Sequence, residues 1–573
     1  MLEVVRIEMD AALAAHWRAN VARARAHLGW PADDASVERR HVGGTTLAIA
    51  APLDRLFTAT EINEWALCAA LHDRDPTHWC GLRDALRVAA QQSDPTPVSD
   101  DPPELEPDAA LRRFERLAAR EARPDLMALV DAARGRQLPM LLDDAMLTLG
   151  AGSRGCSLPL DALPAVADVP WAALAAVPTA LVTGSNGKTT TVRLVAACAR
   201  AHGWRPGYCC TDGVFVGDSA LEAGDYSGPA GARLVLREPS VEAAVLETAR
   251  GGILRRGLAV TRADVAVVTN VSADHFGEYG IHDLEALADV KLTVGSVVRP
   301  GGLLVLNADD AVLRERSRGG EQRYGRGPVL AWFAADADEP WLAAQRAGGA
   351  ATCGVRGGRM LLSQRGIEHD LGAIAAMPLT IGGRAGYNVA NLAAAALAAV
   401  GLGIAPATVA GVFANFGARV SDNPGRLMRF EARGVQVLVD YAHNPEGLSG
   451  LLEVARSLLG NGSRLGLVLG HAGNRDDRAI EQLAETAARF EPALVVVKEL
   501  DAYRRGREVG DVPRILRAAL LRCRQPESSL LQRQTELEAV QTALEWARPG
   551  DVLALPVHGL AARAEVLELL QRS

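Results

Sequence analysis

The stretch "ALVTGSNGKTTTVRLVAA", residues 180–197, passes from a short apolar run through a glycine-punctuated turn into a helical period that begins at a lysine. A turn of that kind sets the carboxyl end of a strand against a helix N-terminus, which is the joint from which parallel α/β sheets are assembled. The segments that follow have the same texture. "AAVLE", "VAVVTN" and "LLVLN" are short, valine-rich and apolar on both faces, as buried parallel strands are, and helical periods separate them. After about residue 420 a second series appears, "VQVLVDY", "LGLVLG", "ALVVVKE" and "DVLALPV", again with helices between. The sequence therefore predicts an α/β fold: a central parallel-sheet domain carrying the turn, then a smaller Rossmann-like α/β domain.

A chain of 573 residues is too long for one core. Residues 93–108, "SDPTPVSDDPPELEPD", hold five prolines among repeated acids and read as a solvated linker inside a small α+β N-terminal domain. Before it, "TTLAIAAPLDRLFTATEINEWALCAAL" predicts a strand, a proline break and a helix capped at Thr58 or Thr60; a helical pair follows the linker. The expected domains are 1–165, 166–420 and 421–573.

The net charge of −8 removes the electrostatic footprint of a general nucleic-acid binder. "MLEVVRIEMDAALAAHWRAN" carries acids early and has no unbroken apolar segment, so neither a leader nor a membrane partner is expected, and the reading is of a cytoplasmic chain. The eight cysteines are scattered, and the adjacent pair Cys209 and Cys210 lacks metal-ligand spacing, so reduced packing thiols are expected.

In the opening stretch, Gly184, Ser185, Asn186, Gly187, Lys188, Thr189 and Thr190 form a TGxxGK[ST] loop. Backbone N–H groups and the helix dipole there receive phosphate oxygens, Lys188 meets the terminal phosphates and the Thr189 hydroxyl can ligate magnesium. The longer G-x-x-x-x-G-K-[ST] signature fails at Val182. A phosphate loop alone does not choose between kinase, switch, motor and ligase. Glu247 directly follows one predicted strand, and Asp274 and His275 lie just past the next, all on the carboxyl edge where α/β sheets build their sites. Sixteen residues on, Lys291 sits in a helical stretch. In the second series Arg426, Asp440, His443 and Asn444 gather at strand ends, where they can close over a ligand held by the central domain. Each read alone has a bland alternative as a surface or packing residue.

Together the order TGSNGKTT, ETARGG, TNVSADH, a following lysine, GYNVANLAAAA, NPGR and DYAHNP resembles the Mur ligase superfamily of ATP-dependent amide-forming enzymes. Within it the chain resembles the cyanophycin synthetases, through "TDGVFVGD", "YSGPAGAR", "LETARGGILRRGLA", "VLNADD" and "KELDAYRRGREVGD". The likeness covers about 170–573, and "PLDRLFTATEINEWA" and "LTLGAG" extend it more weakly to the N-terminal domain. One departure stands out. Full synthetases carry an ATP-grasp domain between those parts, whereas here about two dozen residues separate "LTLGAGSRG" from the phosphate loop.

The resemblance implies transfer of the ATP γ-phosphoryl group to a carboxylate, followed by attack of an amine on the acyl phosphate. It implies ATP and two Mg2+ ions as cofactors, with Thr189 and Glu247 on the first ion and His275 on the second. Lys291 would occupy a position that is carbamylated in many Mur ligases. Asn388 and Asn391 match the adenine-side motif, Arg426 and Asp440 match positions touching nucleotide phosphate or ribose, and His443 lies nearby. The implied partners are an arginine-like amino acid and an aspartate-containing peptide or small acceptor, in a homo-oligomer. A small dicarboxylic or peptide acceptor, and a non-catalytic role beside a separate synthetase, remain open. Glu499 and Asp501, beside the RRGR stretch, can pair with a guanidinium.

Overall fold

The computed structural model describes residues 2–4, 7–31, 36–41, 44–75, 105–273, 276, 280–318, 324, 327–473, 475–500 and 503–572. They form two compact units, Met1–Gln137 with Leu158–Pro170 and Phe276–His282, and Leu138–Ser157 with Trp171–His275 and Asp283–Ser573. Among the described residues every cysteine is a free thiol, and no helix is long and apolar enough to cross a membrane.

The first unit has a three-stranded antiparallel sheet in which Gly44–Ile49 lies between Leu2–Val4 and Ser36–His41. Helices Ala11–His27, Leu56–Arg74 and Pro107–Glu121 bury Trp17, Ile62, Trp65 and Phe114 with Leu47 in one core. Asn63 crosses that core, accepting from the Trp17 indole at 2.9 Å and donating to the Leu47 carbonyl at 3.0 Å. The expected cap at Thr58 or Thr60 falls too late, because the helix starts at Leu56 and Arg55 offers no capping side chain. The Glu121 carboxylate replaces the cap, taking the N–H groups of Phe57 and Thr58 at 2.6 and 2.9 Å, a partner from a distant helix that local sequence cannot reveal. Most of the expected linker, 93–104, lies outside the described residues, and its last residues are already helical from Pro107.

In the second unit an 11-stranded sheet runs, edge to edge, Ser219–Ala223, Gly213–Val216, Pro206–Cys210, Ala243–Glu247, Thr179–Thr183, Ala263–Val268, Val298–Asn307, Val329–Asp336, Thr352–Arg356, Arg359–Gln364 and Ile367–Ala373. From Pro206–Cys210 across to Thr352–Arg356 the pairing is parallel, and both ends are finished by antiparallel hairpin strands. Helices Lys188–Ala201 and Gly386–Gly401 pack on this sheet, and the alanine run of the second is buried without bulk. The 6-stranded C-terminal sheet has the order Met428–Ala432, Val435–Asp440, Val552–Pro556, Leu465–Leu469, Leu494–Lys498 and Leu530–Arg533, parallel except for the first pair. Strand Thr179–Thr183 lies in mid-sheet between Ala243–Glu247 and Ala263–Val268. The chain leaves it first toward one edge and later crosses to the other side, so a crevice opens at its carboxyl end.

Candidate functional site: a phosphate loop facing the C-terminal sheet

That crevice holds the loop 184–187. Gly184 and Gly187 have φ of +146° and +82°, where L side chains are strained, and close neighbours leave neither room for a Cβ. A Cβ on Gly184 would lie 1.8 Å from Thr269 Oγ1, and one on Gly187 would lie 2.1 Å from Asn391 Oδ1. Gly187 is also the N-cap of helix Lys188–Ala201 and supplies no capping side chain. The helix therefore presents an N-terminus with its dipole uncompensated by a cap. Asn270 shapes the loop from the neighbouring strand end, its Oδ1 accepting from the N–H groups of Ser185 and Asn186 at 3.1 and 2.8 Å. Lys188 Nζ donates to the Ser185 carbonyl at 3.0 Å, folding back over the loop.

Behind the loop, the Thr189 hydroxyl donates to Glu247 Oε2 at 2.8 Å and Thr211 donates to Oε1 at 3.1 Å. Glu247 is 1% exposed. Burial pushes its carboxyl above the usual range, and Lys188, the Thr189 hydrogen bond and Arg426 only partly offset this. A hydroxyl and a carboxylate in contact beside a phosphate cradle are the donor set that Mg2+ takes when substrate phosphates and water complete its shell. The cradle glycines, the uncapped helix and this oxygen pair thus fit a magnesium–nucleotide. Among the described residues no group of three or more His, Cys, Asp or Glu is gathered as an all-protein metal cage. His275 lies outside the described residues. Lys291 is buried, 3% exposed, near the end of helix Leu284–Leu292.

Asn388 and Asn391 are engaged with each other. Asn391 Nδ2 donates to Asn388 Oδ1 and Asn388 Nδ2 to the Leu379 carbonyl, each at 3.0 Å, and Asn391 stands directly against Gly187. From the turn that leads into the C-terminal sheet, Arg426 stacks on the Tyr441 ring 4.2 Å from its centroid and lies 3.7 Å from Asp212. Asp440 is buried and accepts from the Leu427 N–H at 2.6 Å; burial raises its pKa, with Arg426 opposing. The His443 ring rests on Tyr441, 5.5 Å between centroids. Asn444 caps helix Pro445–Ser457 and donates to Asn186 Oδ1 at 2.9 Å, while Asn186 Nδ2 donates to Glu446 at 2.8 Å. Asn423 adds a third bridge, donating to the Thr190 hydroxyl at 3.1 Å. Glu499 is taken by the backbone N–H groups of Leu500 and Gly510, and Asp501 lies outside the described residues.

Sequence reasoning missed Thr211, Asp212, Arg193, Asn270, Asn423 and Arg563. Asp212 carried a signal, since "TDG" directly follows strand Pro206–Cys210 on the carboxyl edge. Arg193 and Arg563 carried none, being ordinary helix arginines until the fold joins them to Asp212.

A glycine loop at the switch point of a parallel sheet, with a hydroxyl–carboxylate pair behind it and arginines brought up by the segment before the C-terminal sheet and by the last helix, has the form of a nucleotide site in an α/β protein. Residues 182–399 match the Mur ligase middle domain and residues 425–555 the Mur ligase glutamate ligase domain, together more than half of the chain. The chain belongs to the Mur ligase family of ATP-dependent amide ligases. It is 33% identical over 396 residues to the cyanophycin synthetase of Trichormus variabilis, a match covering 69% of this chain and 42% of that one. To the cyanophycin synthetase of Crocosphaera subtropica it is 38% identical over 337 residues, 58% of this chain and 37% of that one. The chain thus spans less than half the length of these relatives. The UDP-N-acetylmuramate–L-alanine ligase of Kineococcus radiotolerans is 32% identical over 332 residues, 56% of this chain and 59% of that one. Among solved structures, E. coli FolC in complex with ADP superimposes with a TM-score of 0.50 at 17% identity, covering 69% of this chain and 89% of FolC, a likeness of fold.

Proposed function

We propose that the protein is an ATP-dependent carboxylate–amine ligase that joins arginine, or a similar amino acid, to the side-chain carboxylate of an aspartate-containing acceptor. The observation that carries the reaction class is the Thr189–Glu247 pair behind an uncapped phosphate loop, with Arg426 presented from the turn that leads into the C-terminal sheet. The similarity to cyanophycin synthetases carries the substrate class. In this reading the loop N–H groups and Lys188 hold the nucleotide phosphates, and Thr189 and Glu247 hold a magnesium ion. His275 and a carbamylated Lys291 hold a second. Magnesium supplies charge neutralisation between an anionic carboxylate and an anionic triphosphate. Asn388 and Asn391 stand on the adenine side of the nucleotide, Arg426 and Asp440 meet phosphate or ribose, and His443 lies beside them. Closure of the C-terminal sheet over the loop excludes water, which otherwise hydrolyses the acyl phosphate. A division into 1–165, 166–420 and 421–573 and self-association belong to the same proposal.

The test is ADP release from Mg-ATP with aspartate-rich acceptors of graded length and each amino acid in turn, products being weighed by mass spectrometry. Arginine-dependent turnover yielding an acceptor–arginine amide supports the reading. Turnover only with small dicarboxylic or peptide acceptors replaces the acceptor, and absence of amino-acid-dependent turnover overturns it.

A further inference from the structure

Asp212 lies in the loop after strand Pro206–Cys210, 8% exposed, and faces three guanidiniums. Arg563 Nη1 donates to Oδ1 at 2.8 Å, Arg193 Nη2 donates to Oδ2 at 3.3 Å, and Arg426 Nη2 stands 3.7 Å from Oδ1. These arginines come from different places. Arg193 belongs to the phosphate-loop helix, held over the Phe215 ring at 5.0 Å, whereas Arg426 and Arg563 belong to the C-terminal part of the chain, Arg563 on helix Leu560–Gln571. The carboxylate therefore joins the element that carries the phosphate loop to the two that carry the C-terminal sheet's cations.

The three contacts are unequal, and the inequality has a use. Arg563 is hydrogen-bonded to Asp212, and its Nη1 also reaches the Pro424 carbonyl at 3.2 Å. The chain makes room for that side chain at Gly425, where φ is +69° and a Cβ would fall 2.3 Å from Arg563 Cδ. Arg426, the next residue, is beyond hydrogen-bond reach of Asp212 and is steered by charge and by its stack on Tyr441, on whose ring Arg563 also bears at 5.4 Å. A guanidinium aimed this way keeps donors available for an anion, since the carboxylate orients it without consuming its fork.

We propose that Asp212 is a positioning residue: through Arg563 it pins the C-terminal sheet to the phosphate-loop helix before nucleotide arrives, and it thereby aims Arg426 at the nucleotide phosphates. The affinity arm of the test rests on the nucleotide reading of the loop, whereas the exchange arm stands without it. The first arm is hydrogen–deuterium exchange on the full chain without nucleotide, comparing wild type, Asp212→Asn, Arg563→Gln and the double variant. Both single variants lose protection in 423–428 and at the start of helix Leu560–Gln571, while strands Thr179–Thr183 and Leu465–Leu469 stay protected. The second arm is binding of Mg-AMPPNP, which weakens about tenfold in each single variant and no further in the double. Loss of protection in the core strands as well assigns Asp212 a general folding role and overturns the proposal. So does unchanged protection in 423–428, or single-variant losses that multiply in the double. Should wild type fail to bind Mg-AMPPNP, the nucleotide reading falls while the exchange arm still decides the pin. Should Asp212→Asn fail to accumulate as folded protein, Arg563→Gln carries both arms alone.

Discussion

Gly187→Ala perturbs the loop where it meets the Asn391 amide. An alanine at φ +82° costs roughly 1 kcal/mol in backbone strain. Its Cβ would lie 2.1 Å from Asn391 Oδ1 and 3.0 Å from Asn391 Cγ, so the Asn391 amide must turn. That amide is 6% exposed and donates to Asn388 Oδ1 at 3.0 Å, and breaking such a buried bond costs about 1–3 kcal/mol. The sum, about 2–4 kcal/mol, can be relieved only by moving helix Gly386–Gly401 or by deforming the loop. The sheet-packed helix is the stiffer of the two, so the loop yields and Mg-AMPPNP affinity falls by at least roughly tenfold. Titration calorimetry reads the affinity and thermal unfolding reads the stability. Gly187→Ala combined with Asn391→Ala removes the clash but keeps the strain, and it should recover part of the affinity. A Gly187→Ala protein that binds and melts like wild type would refute the reasoning.

Glu247→Gln keeps the Thr189 contact but removes the charge, so Mg2+-supported nucleotide binding should fall roughly 10- to 100-fold with little loss in melting temperature. The pH dependence has a definite sign. Because burial raises the folded-state pKa of Glu247, its contribution to stability is present below the unfolded value of 4.5 and is lost as pH rises through the raised value. Mg-AMPPNP affinity, which needs the ionised form, should therefore begin to fall on acidification at a pH above that of an ordinary glutamate, and the Gln variant should lose this dependence. In the C-terminal sheet, Lys498 is fully buried on Glu536 and the Pro556 carbonyl, with His558 Nδ1 at 3.4 Å. Lys498→Ala strands the Glu536 carboxylate, although the His558 and Gly559 N–H groups still reach it at 2.9 and 2.7 Å. Chemical denaturation should register a loss of about 3 kcal/mol, and adding Glu536→Gln should restore part of it.

The central strands were legible because a parallel strand covered on both sides is buried at every position and runs apolar through its length, as Ala180–Val182 within Thr179–Thr183 and Ala243–Leu246 within Ala243–Glu247 do. The antiparallel finish was not. Ser219–Ala223 is exposed throughout, and Ile367–Ala373 shows no clean alternation, so neither carries the pattern that marks a buried strand. The strand–turn–helix joint at 179–201 was readable for a related reason, since its strand, turn, lysine and helix are contiguous. What escaped was long-range. Arg563 and Asp212 are 351 residues apart and Asn423 and Thr190 are 233 apart, and each becomes informative only once two sheets face each other. Helix capping failed in the same way at Leu56–Arg74, where Glu121 does the work of a local side chain.

The central claim is that a carboxylate is activated by phosphoryl transfer before the amine attacks. Its most direct test uses an aspartate-containing acceptor labelled with 18O in the side-chain carboxylate, with Mg-ATP and arginine, and follows the label in the released phosphate by mass spectrometry. Activation as an acyl phosphate places one 18O in each phosphate formed with the amide, with none in ADP. Amide formation that leaves the phosphate unlabelled, or ATP turnover with no amide at all, would contradict the account.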